Sequence, residues 1–284
     1  MNPKAVGKTY PPQTTRVTAE AVVRYARAYG EDNPRFVDES RPGGVVAPPL
    51  FGVVVAWPAI VGAVADPDVG ADLLRLVHRE QDMIFSRTIR PQEEIASRAR
   101  VLAVEEVVGG ETLIVEVSCH GVGGEEVQRM VFTAFVRGGG RRERSAERPL
   151  RVARGEPLVR VKRRVDEDQT YRYAEASGDH NPIHTDEVVA RLAGFPGVIV
   201  QGLCTMAMAS KVVLDELCGG EAERLTRLRA RFARPVFPGQ ELTTAVWEEG
   251  RQGQCLAFAY EVHDPSGLAA IKDGLAEIRA PEDA

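Results

Sequence analysis

The sequence has little of what several large protein classes require. Its four cysteines, Cys119, Cys204, Cys218 and Cys255, include no C-x-x-C pair, which argues against zinc ribbons and dithiol redox motifs. Isolated thiols of this kind are expected to be buried as small hydrophobes. His78, His120, His180 and His263 are scattered along the chain and suggest no metal site. There is no glycine-rich phosphate loop and no dinucleotide fingerprint, so no bound cofactor is expected. No apolar run reaches the roughly 18 residues of a membrane span. The opening stretch MNPKAVGKTYPPQTTRV lacks the apolar core of a signal peptide, so the expected location is the cytoplasm, with no membrane partner. The net charge of −5 argues against nucleic acid as a partner. The densest basic stretch, RGGGRRERSAERPLRVARGEP (137–157), has no interleaved aromatics and is broken by Glu143, Glu147, glycines and prolines. It reads as a solvated linker.

What the chain does have is internal repetition. Its 284 residues suit two domains of about 130–150 residues each. YARAYGEDNPRFVDE (25–39) shares a frame with YAEASGDHNPIHTDE (173–187). Tyr25, Gly30 and Asn33-Pro34 recur 148 positions later as Tyr173, Gly178 and Asn181-Pro182. Farther on, FSRTIRPQEEI (85–95) matches FARPVFPGQEL (232–242) at an offset of 147. This predicts a duplicated domain, with an N-terminal unit at 1–137, a linker at 138–156 and a C-terminal unit at 157–284.

Both halves show the same order of elements. In the second half a strand over 157–165 is followed by a helix over 167–176. Asp166 and Gln169 are placed as a capping box at its start, and Gly178 is suited to a left-handed position at its end. Thr185 is placed to cap a short second helix. LCTMAMASKVVLDEL (203–217) is apolar on most sides and predicts a buried helix. Four strand-like segments follow; in one, Leu228, Ala230 and Phe232 share a face and Arg229 and Arg231 the other. In the first half Thr18 caps a helix ending at Gly30, an apolar segment starts at Leu50, and strands are predicted over 99–107, 112–120 and 127–136. One buried helix followed by consecutive hairpin strands is an α+β plan, an antiparallel sheet wrapped around a central helix. Pro58 falls inside the N-terminal central helix, where a kink or shortening, with a cavity beside it, is expected.

The segment YAEASGDHNPIHTDEVVARLAGFPGVIVQG (173–202) resembles the signature of the MaoC-like hydratases, the R-specific enoyl-CoA hydratases also called hydratase 2. RARFARPVFPGQEL (229–242) resembles the family's later strand and turn. The resemblance covers nearly the whole chain and implies a tandem, or double, hot-dog fold. It implies hydration of a trans-2-enoyl thioester to the (3R)-3-hydroxyacyl thioester, or the reverse dehydration. Carried over by position, Asp179 and His184 are the catalytic pair, Asn181 supports their loop, and the Gly202 backbone N–H faces the thioester oxygen. Ser177 and Gly178 belong to the same signature and are taken with Gln201 as substrate-binding positions. The family's usual histidine before the glycine is Gln201 here, which can hydrogen-bond but cannot titrate.

The chemistry accounts for these residue types. Adding water to a conjugated thioester needs a base for the water, a proton at C2, and stabilisation of the thioester oxygen as it gains enolate character. Residues five apart, like Asp179 and His184, do not align on a straight helix. Pro182 biases Asn181 away from helical geometry, so the loop turns between them. The first N–H groups of a helix lack internal partners and sit at its positive end. The N-terminal repeat carries Glu31 and Phe36 at the matching places and is expected to be silent, shaping the acyl pocket instead; in the double hot-dog hydratases such a pocket admits long or bulky chains. Arg229, Arg231 and Arg234 are candidates for meeting an anionic carrier. The expected partners are an acyl-CoA or an acyl carrier protein, with a homodimer as the common assembly. A carrier-protein dehydratase, a non-catalytic acyl-thioester binder and a thioesterase are the alternative readings.

Overall fold

The structure is a computed structural model that describes residues 1–138 and 154–280. Strand β1 (Gln13–Arg16) is followed by α1 (Ala19–Ala28), the single turn α2 (Pro34–Val37) and α3 (Phe51–Val64). Strands β2 (Leu76–Phe85), β3 (Glu94–Val107), β4 (Gly110–His120) and β5 (Glu126–Arg137) complete the first series. The second series is β6 (Val159–Arg164), α4 (Gln169–Ser177), α5 (Glu187–Leu192), α6 (Gly202–Leu217), β7 (Leu225–Phe232), β8 (Glu241–Gln252), β9 (Cys255–His263) and β10 (Ala269–Arg279). The expected linker lies almost wholly outside the described residues.

All ten strands form one antiparallel sheet in the order β1-β3-β4-β5-β2-β7-β10-β9-β8-β6. Read from either edge inward, the order is the same for both series, so the two repeats are joined through the second strand of each. That seam pairs β2 with β7, Glu80 opposite Arg231 and Asp82 opposite Arg229. On the outer face, where side chains alternate away from the core, Arg227 makes ion pairs with Asp82 at 2.7 Å and with Glu277 at 3.3 Å. The apolar residues of the inner face bury α3 and α6. Apolar on most sides, α6 has Leu203, Met206, Ala207 and Val213 all buried, as a helix enclosed by sheet must be. No helix among the described residues is long and apolar enough to cross a membrane.

Several local expectations are met and several are corrected. The Thr18 hydroxyl accepts from the Ala21 N–H at 3.1 Å and caps α1. Helix α4 starts at Gln169 rather than Glu167. Gln169 Oε1 does accept from the Asp166 N–H at 3.2 Å, but the Asp166 carboxylate pairs with Arg172 instead of capping. Asp186, not Thr185, caps α5; its Oδ1 accepts from the N–H groups of Val188 and Val189. Both residues suit the role, and the aspartate sits one position closer to the helix. Pro58 lies within a continuous helix, Phe51–Val64, and is exposed, so the helix is not shortened there; Pro58 itself lines no part of the cavity described below, whereas its neighbour Trp57 does. Cys119, Cys204 and Cys218 are buried, whereas Cys255 is half-buried.

Candidate active site

Local chemistry sets the site loop. Helix α4 stops at Gly178, whose φ of 81° is the left-handed conformation that glycine adopts without steric cost. A side chain there would also press on Trp57, 3.3 Å from the position of its Cβ. The chain then turns: the Asp179 N–H donates to Ser177 Oγ at 3.2 Å, and the Asn181 N–H donates to Asp179 Oδ1 at 3.3 Å. Asn181 Oδ1 accepts from the Ile183 N–H and caps the single turn Pro182–His184. That turn carries His184 back toward Asp179, leaving Asp179 Oδ2 and His184 Nε2 3.8 Å apart.

His184 is fixed from behind. Its Nδ1 lies 2.7 Å from the Ile199 carbonyl; a carbonyl only accepts, so Nδ1 carries the hydrogen and Nε2 presents a lone pair. Burial pushes its pKa below the ordinary histidine value, against the raising effects of the Asp179 charge and of the Ile199 hydrogen bond. The Thr170 hydroxyl donates to the His184 carbonyl at 2.8 Å, and Gln201 Nε2 donates to the Thr170 carbonyl at 3.1 Å. Gln201 is fully buried and faces Thr170.

Asp179, Asn181 and His184 line a cavity of about 220 Å³ together with Gly202. As the first residue of α6, Gly202 has an N–H with no acceptor inside the helix. The cavity has walls from both repeats. Leu203, Phe232 and Arg234 come from the second; Trp57, His78, Phe132 and Arg137 come from the first.

The expected site residues therefore separate into groups. Asp179, Asn181, His184, Gly202 and Arg234 meet at one cavity. Ser177, Gly178 and Gln201 do not line it; they hold the loop and the histidine from outside, so their expected contact with substrate is not supported by their positions. Arg229 and Arg231 lie on the outer sheet face, Arg231 between Glu80 and Asp273, because β7 alternates and its inward positions are Leu228 and Ala230. Sequence reasoning missed Trp57, His78, Phe132 and Arg137. Arg137 stacks over the Phe195 ring at 5.5 Å and gives the cavity a second arginine beside Arg234. The repeat frame could have signalled these residues only if the seam between the halves had been known.

In the N-terminal repeat the matching loop is tied down instead. Phe36 is fully buried. Glu31 Oε1 accepts from the N–H groups of Asp32 and Asn33 and from Lys211 Nζ of α6 at 2.9 Å. Lys211 is itself buried and also reaches Asp32 and Asp215.

Comparison with known proteins bears on the fold and the family. The family described as "MaoC like domain" matches residues 151–264, and "FAS1-like, dehydratase domain region" matches residues 4–129. The chain is 34% identical over 218 residues to "3-hydroxyacyl-thioester dehydratase Y" of Mycobacterium tuberculosis, covering 71% of this chain and 72% of that one. It is 28% identical to "Probable enoyl-CoA hydratase 2" of Dictyostelium discoideum, covering 86% of each. Among solved structures, a MaoC-like dehydratase from Phytophthora capsici superposes with a TM-score of 0.85 at 21% identity, covering 100% of this chain and 99% of that one. A Mycobacterium tuberculosis protein described as a double hotdog fold superposes with a TM-score of 0.66 at 12% identity, covering 96% and 95%. The expected tandem hot-dog architecture is the one observed, and the chain belongs to the MaoC-like dehydratase family.

Proposed function

We propose that the protein is a hydro-lyase that adds water to a trans-2-enoyl thioester to give the (3R)-3-hydroxyacyl thioester, and catalyses the reverse. The observation that carries this reading is the 3.8 Å separation of Asp179 Oδ2 and His184 Nε2 in the cavity that Gly202 also lines. The carboxylate and the neutral imidazole are both acceptors at those atoms. A water between them donates one hydrogen to each, and its lone pairs are left to face C3 of the substrate. As the oxygen bonds to C3, one residue takes the proton and the C2 carbanion character spreads onto the thioester oxygen. The Gly202 N–H, at the positive end of α6, stabilises that oxygen. The abstracted proton is returned to C2 by the same pair. Hydrogen and hydroxyl then add from one face, and a water supplies both.

The division of labour follows the repeats. Residues 157–284 supply the chemistry, and 1–137 supply cavity wall through Trp57 and Phe132. Arg234 and Arg137 meet the anionic carrier, either coenzyme A or the phosphopantetheine of a carrier protein; no further cofactor takes part. A cytoplasmic location and a homodimer remain expectations from sequence and resemblance. Gln201, which stands where the family has a histidine, bonds Thr170 and is absent from the cavity wall, so the substitution leaves the proposed chemistry of Asp179 and His184 in place.

The test follows loss of the conjugated enoyl-thioester absorbance with short, medium and long trans-2-enoyl-CoA, with product chirality assigned. Asp179→Asn and His184→Gln are expected to lower kcat about 10²–10⁴-fold while remaining folded. Folded wild type with no turnover on CoA or carrier-protein thioesters overturns the reading.

A further inference from the structure

His184 is held by a residue that does not touch the cavity. Thr170, the second residue of α4, is fully buried and forms no part of the cavity wall. Its hydroxyl has three acceptors within reach: the His184 carbonyl at 2.8 Å, the Ile199 carbonyl at 3.2 Å and Gln201 Oε1 at 3.2 Å. The Ile199 carbonyl is also the acceptor for His184 Nδ1. One hydroxyl therefore stands between the backbone of the histidine and the group that fixes its ring and its tautomer.

Gln201 sets that hydroxyl from the other side. Its Nε2 donates to the Thr170 carbonyl at 3.1 Å, and its Oε1 accepts from the Thr170 hydroxyl. A carboxamide carries a donor and an acceptor on one carbon, so it meets the carbonyl and the hydroxyl of a single residue. The fold does not ask for a hydroxyl at this position. The repeat places Val22 148 positions earlier, and Val22 is equally buried. Val22 belongs to the half whose loop carries Phe36 where the other carries His184. The hydroxyl accompanies the histidine, in a helical turn where valine otherwise serves.

We infer that Thr170, held by Gln201, is a positioning residue for the hydration reaction. Its hydroxyl ties the His184 backbone to the Ile199 carbonyl and so aims Nε2 at the water. The inference rests on the hydratase reading and deepens it. Nε2 must share a water with Asp179 Oδ2, 3.8 Å away, and a small displacement of a reacting group is costly in rate. Without the hydroxyl the His184 carbonyl loses this donor, and the turn Pro182–His184 can shift.

The experiment compares hydration of one trans-2-enoyl-CoA by wild type, Thr170→Val, Thr170→Ser, Gln201→Met and the double variant Thr170→Val, Gln201→Met. The imidazole N–H signal of His184, identified by its loss in His184→Gln, is followed by proton NMR. Thr170→Val is expected to lower kcat about 10–100-fold with KM held within about twofold, because Thr170 does not meet the substrate. Thr170→Ser keeps the hydroxyl and should recover most of the rate. Gln201→Met should lower kcat less, and the double variant no further than Thr170→Val, since Gln201 acts through Thr170. The His184 N–H signal should move in Thr170→Val and return in Thr170→Ser. A role in folding alone would lower the melting temperature and leave kcat of the folded enzyme unchanged. Folded Thr170→Val with wild-type kcat overturns the inference, as does a loss confined to KM or one that Thr170→Ser shares in full. Should Thr170→Val fail to fold, Gln201→Met decides: a lowered kcat at constant KM upholds the inference, and an unchanged kcat overturns it. If wild type turns over no enoyl thioester, the hydratase reading fails by itself, and the N–H signal decides the positioning: a signal moved in Thr170→Val and restored in Thr170→Ser upholds it, and an unmoved signal overturns it.

Discussion

The hydroxyls of Tyr25 and Tyr173 meet at 3.0 Å, and each tyrosine is the other's counterpart in the repeat. Both are fully buried, with rings 5.5 Å apart, and burial raises both phenols well above their ordinary range. Two neutral hydroxyls can share one hydrogen. Replacing either tyrosine by phenylalanine strands the other hydroxyl and is expected to destabilise by about 1–3 kcal/mol. The double replacement removes both and should cost less than the sum of the singles. Urea unfolding of the four proteins in the cycle measures this, and additive costs would show that the hydroxyls do not interact.

Lys211 gives a sharper test of how the N-terminal half is held. Its ammonium is buried against Glu31, whose side chain is 1% exposed. Lys211→Met leaves that carboxylate buried with hydrogen-bond donors but without its counter-charge, and a loss of roughly 3–5 kcal/mol is expected. Adding Glu31→Gln should restore much of the loss. Thermal melts of the single and double variants decide it, and a double variant no more stable than Lys211→Met would disprove the pairing.

Gly202→Ala separates activity from stability. The new Cβ meets the Phe232 ring at 3.0–3.1 Å, which moves either the ring or the first turn of α6. Alanine is the better helix former, so the melting temperature should hold or rise. Where the first turn moves, the Gly202 N–H proposed to meet the thioester oxygen is displaced, and kcat should fall, by at most the 10²–10³-fold of a lost oxyanion donor. Unchanged kcat in a variant whose first turn of α6 has shifted would remove Gly202 from the mechanism.

Acid should destabilise the protein through His78 and His184. His78 and His184 both have folded pKa values below the roughly 6.5 of an unfolded histidine. The unfolded chain binds protons that the folded one refuses, so their contribution is complete above about pH 6.5 and is lost as pH falls, for His78 down to about pH 3. Unfolding free energies at pH 7 and pH 5 should show a drop that is smaller in His78→Phe. Identical drops would mean that His78 is not held neutral.

Much of this was legible in the sequence. The repeated Tyr, Gly and Asn-Pro frame gave the duplication, and the alternation in LRARF sorted Leu228 and Ala230 from Arg229 and Arg231. Alternation could not say which face the cavity occupied, so two surface arginines were placed with the substrate. Strand β1 is too short and exposed to show a pattern. Strand β2 reads LVHREQDMIF, and its charges hide it because its outward positions face the charges of β7 across the seam. Trp57, His78 and Phe132 reach the cavity from the other repeat, a contact fixed by the order of strands and by no spacing along the chain.

That order of strands also decides what the protein can lose. Between β2 and β7 there is no edge, only backbone pairing that continues from one repeat into the next. A chain trimmed to its second repeat would turn β7 from the middle of a sheet into an open border, a template for the next chain in solution. It would also breach the cavity on the side of Trp57, His78 and Phe132. The half without the aspartate–histidine pair is thus what keeps β7 paired and the cavity walled on both sides.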